Sequence, residues 1–123
     1  MQITKNFHRD EFKCRCKERG LNADNSWCHG VSWVHRELVV RLQGLRDHFN
    51  APITVSSGCR CPRYNTYIGS TAPLSQHIRG TGADIIVQGR STAEVAEAAR
   101  EMGFFVIEYA DRGFVHVDIR QYI

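Results

Sequence analysis

His77 lies in a polar stretch, Ser75-Gln76-His77-Ile78-Arg79-Gly80-Thr81-Gly82, and Asp84 follows at the head of the apolar run Ala83–Val87. His116 comes much later, inside Phe114-Val115-His116-Val117-Asp118-Ile119-Arg120. A carboxylate entering an apolar strand is costly to bury unless it is paired or bound to a metal. Two neutral imidazoles and one carboxylate form a three-donor set that can hold Zn²⁺ and leave a fourth position open to water. Hydrolases use such an open position because the metal lowers the pKa of the bound water toward neutrality. The fold is thereby constrained: it must bring a loop histidine, the head of one strand and the middle of another to a single point. The Gly80-Thr81-Gly82 step permits the tight return between His77 and Asp84.

The rest of the chain reads as one small domain. At 123 residues it supports one hydrophobic core. A short helical turn fits around Asp10-Glu11-Phe12. Val34, Leu38, Leu42, Leu45 and Phe49 recur at helical spacing, with Ser32 placed to cap the start and Pro52 after the end. Ile53–Ser57 reads as a strand, residues 59–82 as a long loop carrying His77, and Ala83–Val87 as a second strand. Ser91-Thr92-Ala93-Glu94 is a capping box opening a helix to about Met102, ended by Gly103. Phe104–Tyr109 and Phe114–Ile119 form a hairpin around Ala110-Asp111-Arg112-Gly113. Its turn length sets Tyr109 opposite Phe114 and Ile107 opposite His116. Phe114, His116 and Asp118 share one face, and Glu108 points to the other. This order predicts an α+β domain with helices packed on a small antiparallel sheet.

Composition narrows the partners. Net charge is +3, with no dense basic stripe, which argues against nucleic acid. No apolar stretch approaches the roughly 20 residues of a membrane helix. The N-terminus lacks a secretory pattern, so synthesis in a cytoplasm is expected, with release by other means if the protein acts outside. Five cysteines, Cys14, Cys16, Cys28, Cys59 and Cys61, are an odd count for a fully oxidised framework. Buried thiols, a disulfide from the N-terminal segment to the Cys59–Cys61 loop, and a structural zinc site all remain open. His8, His29, His35 and His48 read as bland, while Trp27, Trp33 and Tyr64 suit either a groove or a core.

Five stretches carry a family resemblance: Lys5-Asn6-Phe7 with Glu11-Phe12; Pro52–Pro62 with Ser57-Gly58-Cys59-Arg60; Ser75-x-His77-x₂-Gly80-x-Gly82-Ala83-Asp84; Tyr109; and Phe114-Val115-His116-Val117-Asp118. In this order they resemble the zinc peptidases of the D-Ala-D-Ala carboxypeptidase type, the M15 group, whose fold is shared with the hedgehog signalling domain. The resemblance implies one catalytic Zn²⁺ on His77, Asp84 and His116. It also implies a peptidoglycan stem-peptide substrate, cut as a D-Ala-D-Ala carboxypeptidase or an L-Ala-D-Glu endopeptidase would. A monomeric phage endolysin or wall-remodelling enzyme is the expected setting, acting on the cell wall after release or as part of a virion.

By the same resemblance Arg60 stabilises the oxyanion of a tetrahedral intermediate, Ser75 and Tyr109 contact substrate, and Asp118 orients a ligand from behind; from the residues alone Arg60 also suits a surface position and Ser75 a loop cap. Many relatives place an acid three residues before the last histidine ligand; here that residue is Gly113. Asp111, in the hairpin turn, is the preferred general base, ahead of Glu108 and Asp118. The missing acid leaves a rival, a non-catalytic zinc-binding module on the same fold; a second rival is a cysteine-stabilised structural phage protein in which the histidines are incidental.

Overall fold

A computed structural model describes residues 1–69 and 75–122. A small N-terminal hairpin, β1 (Gln2–Thr4) with β2 (Phe7–His8), leads into a 3-10 turn over Arg9–Phe12. That turn is capped reciprocally: His8 accepts from the backbone of Asp10, and Glu11 accepts from the backbone N–H of His8 at 2.6 Å. After an irregular stretch come α1 (Arg36–Phe49), β3 (Ile53–Ser57), α2 (Pro62–Tyr67), α3 (Gln76–Arg79) and β4 (Gly82–Val87). The chain closes with α4 (Thr92–Glu101), β5 (Phe105–Tyr109), β6 (Phe114–Asp118) and a last 3-10 turn.

The four longer strands form one antiparallel sheet in the order β3-β4-β6-β5. The α+β architecture follows the sequence pattern, and so does the hairpin register, with Tyr109 opposite Phe114 and Ile107 opposite His116. Alternation divides the sheet. Val55, Ala83, Ile85, Val87, Val115 and Val117 face the helices and pack with Leu38, Leu42, Leu45, Val95, Ala99 and Phe104 in a single core. Burying each such large aliphatic side chain contributes roughly 1.5–3 kcal/mol. The opposite face of β4 and β6 carries Asp84 and His116, which are direct cross-strand partners. The hydrophobic pattern that seals one face therefore aims these two polar groups at the other.

Two expectations need correction. The long helix starts at Arg36, capped by the ring of His35, which accepts from the Glu37 N–H at 3.2 Å. Ser32 instead bonds backward, its hydroxyl donating to the Arg9 carbonyl at 2.6 Å. The stretch read as a continuous loop over 59–82 contains α2 and α3, with Pro62 at the first turn of α2. Residues 70–74 of that stretch lie outside the described residues. Among the described residues no helix is long and apolar enough to cross a membrane.

Candidate active site

α3 carries His77 into the site as a single short turn held from three sides. Ser75 caps it, accepting from the His77 N–H at 3.2 Å, and Gly80 ends it in the left-handed region at φ 74°. The Trp33 indole N–H donates to the Ile78 carbonyl at 2.7 Å, and the Arg60 backbone N–H to the His77 carbonyl at 3.1 Å. The His77 ring then meets the sheet where Asp84 and His116 lie side by side.

The three expected donors converge. His77 Nε2 is 3.2 Å from Asp84 Oδ1, His116 Nδ1 is 3.0 Å from the same oxygen, and the two ring nitrogens are 3.2 Å apart. All three residues are buried. Donors around a tetrahedral Zn²⁺ at about 2.0–2.1 Å would be spaced by about 3.3 Å, close to what is seen.

Proton bookkeeping makes the case for a cation stronger. His77 Nδ1 lies 2.7 Å from the Gly58 carbonyl, an acceptor without a proton, so Nδ1 carries the hydrogen. His116 Nε2 lies 2.7 Å from Asp118 Oδ2 and donates to it. In the neutral rings, Nε2 of His77 and Nδ1 of His116 are therefore bare lone pairs that face each other and a carboxylate oxygen. Three converging lone pairs in a buried site call for a positive charge between them. The donor set fits a divalent metal.

The charges around the trio are fixed by their partners. Burial opposes ionisation of Asp84, but hydrogen bonds and charge from His116 and His77 outweigh it and hold the carboxyl well below the usual range. Burial likewise disfavours a His116 cation, yet Asp118 and Asp84 raise its pKa above the ordinary value. Asp118, again against burial, is drawn down to about 2 by His116 and by Arg120, whose guanidinium donates to Oδ2 at 2.8 Å. Arg60 donates to Asp84 Oδ2 at 3.1 Å, to Ser57 Oγ at 3.0 Å and to Asn65 Oδ1 at 3.4 Å. Its own pKa is lowered by burial, with Asp84 opposing the shift.

These groups floor an open groove of about 1000 Å³. Ser75, Tyr109, Arg60 and the trio line it, as do Arg19, Arg112, Arg120 and Tyr64; Asp84 is the one acidic residue in that lining. Asp118 sits behind His116, fully buried, and accepts from its Nε2. Trp27 takes the core alternative, packed with the cysteines.

Asp111 is not brought in. It is exposed at the tip of the β5–β6 turn and absent from the groove lining, although Tyr109 and Arg112 on either side of it belong to that lining. Glu108 points to the helix side, where it accepts from the Thr92 hydroxyl at 2.7 Å. Sequence reasoning missed the Gly58 carbonyl and Arg120, and it named Trp33 without its bond to the Ile78 carbonyl. A backbone acceptor leaves no residue-type signal, whereas Arg120, two positions after Asp118 at a strand end, could have been suspected.

Two histidines and an aspartate poised for a metal on the sheet face opposite the main core define a metallohydrolase type of centre. The chain belongs to the peptidase M15 family, whose family model matches residues 5–118, and it is a metallopeptidase. This assignment sets aside the binding module and the structural phage protein. The crystal structure of an L-Ala D-Glu endopeptidase, ChiX, from Serratia marcescens is similar at 25% identity and a TM-score of 0.49, covering 72% of this chain and 84% of that one. No curated protein matches the chain.

Proposed function

We propose that this peptidase uses Zn²⁺ held by His77, Asp84 and His116 to cut bacterial peptidoglycan stem peptides, as a D-Ala-D-Ala carboxypeptidase or an L-Ala-D-Glu endopeptidase does. The observation that carries the reading is the convergence of three metal-ligating donors, each fixed from behind, in a groove open to a peptide. A bound zinc ion supplies Lewis acidity toward the scissile carbonyl and a water of lowered pKa.

The chain's own residues supply the rest. The Gly58 carbonyl and Asp118 keep the two rings in the metal-binding tautomers. Arg60 grips the outer oxygen of Asp84 and presents a fixed positive charge beside the trio, suited to a developing oxyanion. Arg19 and Arg112 extend the positive lining, which favours a carboxylate-rich substrate such as a stem peptide. Ser75 and Tyr109 face that substrate. Asp111, on the turn between two groove-lining residues, is the acid we assign to take the proton from the attacking water and pass it to the leaving amine, once the turn folds toward the substrate. The biological setting we infer is wall cleavage after release from a producing cytoplasm, as in phage lysis or wall remodelling.

Purified protein incubated with sacculi, with and without chelator, tests the reading by mass spectrometry of the products. Free D-alanine identifies a carboxypeptidase, and a new N-terminal D-glutamate identifies the endopeptidase. Absence of any chelator-sensitive product, from protein that retains one tightly bound metal at the trio, would overturn the assignment.

A further inference from the structure

Between the first 3-10 turn and α1, residues 13–35 contain neither helix nor strand. This segment is nevertheless built around its own buried cluster, separate from the main core. The fully enclosed members are Cys14, Cys16, Trp27, Cys59, Cys61 and Tyr64. Four of these six are cysteines, so little aliphatic surface is available to hold a long irregular segment in place. Small units with so little apolar mass ordinarily need a cross-link or a metal.

The cysteines sort into four and one. The sulfurs of Cys14, Cys16, Cys28 and Cys61 all lie within 4.8 Å of one another. Cys14 Sγ is 3.8 Å from Cys61 Sγ, and Cys16 Sγ is 3.5 Å from Cys28 Sγ. Around a tetrahedral zinc with Zn–S near 2.3 Å, sulfurs are about 3.8 Å apart; in a disulfide they are about 2.05 Å apart. Cys59 stands outside the tetrad. Its thiol donates to the Phe12 carbonyl at 2.8 Å and accepts from the Trp33 N–H at 3.4 Å.

The backbone also suits thiolates. The Cys61 N–H donates to Cys14 Sγ at 3.4 Å, and the Gly30 and Val31 amides reach the Cys28 sulfur. His29 and Gly30, the two residues after Cys28, are both at positive φ (60° and 81°). Amides directed at sulfur offset negative charge that burial would otherwise penalise.

We propose that Cys14, Cys16, Cys28 and Cys61 bind a structural Zn²⁺ ion, a second metal site distinct from the histidine–aspartate trio. Four thiolates close its coordination, leaving no position for water, so the ion is a fold-stabilising element with no chemistry of its own. It clamps the irregular segment to the start of α2. Cys61 is the residue before α2 and the neighbour of Arg60, so the same ion stiffens the arginine that holds Asp84. Arg19 and Tyr64, in or beside the clamped segment, form part of the groove wall.

The test uses full-length protein purified under reducing conditions without chelator. Metal analysis should give two zinc ions per chain in the wild type and one in the His77→Ala/His116→Ala variant. X-ray absorption of that variant should show a shell of four sulfurs at about 2.3 Å. Replacing its zinc with Co²⁺ should give an intense near-ultraviolet thiolate-to-cobalt band. Cys16→Ser/Cys28→Ser should lose that band; if this variant fails to fold, the measurements on the histidine variant decide alone. A wild type holding a single zinc with an all-sulfur shell would support the tetrad while overturning the trio as a zinc site. Two disulfides by intact mass, or five titratable thiols with no metal in the histidine variant, would overturn the proposal.

Discussion

His116 Nε2 and Asp118 Oδ2 are 2.7 Å apart, the carboxylate fully buried, and Arg120 donates to the same carboxylate oxygen at 2.8 Å. The pair decides which His116 nitrogen is bare. Asp118→Asn offers an amide that can donate to Nε2, which places the ring proton on Nδ1, the atom facing Asp84. Metal affinity is expected to fall about 10–100-fold. A competition titration against a chelator of known affinity measures it, and unchanged affinity would show that the tautomer is set elsewhere.

Arg60 reaches Asp84, Ser57 and Asn65 through three different nitrogens. Lysine keeps the charge and loses the planar fork. Arg60→Lys should lower kcat on a synthetic stem peptide by about 10²-fold, the scale of losing one oxyanion donor. KM should change much less, and a pure KM effect would recast Arg60 as a substrate-binding residue.

Gly82 sits directly beneath the site. A Cβ there would lie 2.9 Å from Gln76 Cβ and 3.2 Å from His116 Cε1, so one of them has to move. Gly82→Ala should weaken metal binding by about tenfold, about 1.4 kcal/mol, while the far-ultraviolet circular dichroism stays native. Gly89, at φ 75° with open space around it, is the control. Gly89→Ala should cost about 1–2 kcal/mol of stability and leave metal affinity intact.

Gly58 serves the site through its carbonyl and the fold through its missing side chain. An added Cβ would lie 2.5 Å from Phe12 Cα and 2.6 Å from its oxygen, both backbone atoms with no rotamer to yield. Gly58→Ala is expected to destabilise the protein by on the order of 3 kcal/mol, read from the urea midpoint. A change below about 0.5 kcal/mol would mean that the Phe12 and Gly58 segments can separate freely.

The assignment of the base rests on a comparison of two acids. Asp111→Ala should reduce kcat by about 10²–10⁴-fold. Glu108→Ala, which removes only the bond to Thr92, should leave kcat within about twofold of wild type. Retained activity in the Asp111 variant would remove that residue from the mechanism.

What could be read from the sequence was whatever a repeating pattern or a reaching side chain encodes. Alternation in Phe114–Asp118 gave the face of His116, and the turn length gave its register against Ile107, because strand geometry leaves few choices. The Ser91–Glu94 box marked the start of α4, since both partners are side chains at fixed spacing. The start of α1 was misjudged because a histidine can cap as well as a serine, and Ser32 was already engaged by Arg9. α2 and α3 were invisible because helices of one or two turns are too short to show a period. The trio was legible as residue types. Its support was less so: the Gly58 carbonyl and the Trp33 indole act through backbone contacts that no spacing reveals.

Asp84 and His116 are opposed across β4 and β6, the two inner strands of the sheet. Slipping either strand by one position would rotate one of these donors into the hydrocarbon layer beneath the helices. The three donors therefore meet only when β4 and β6 pair in this one register, so correct strand pairing and a complete site are a single structural condition.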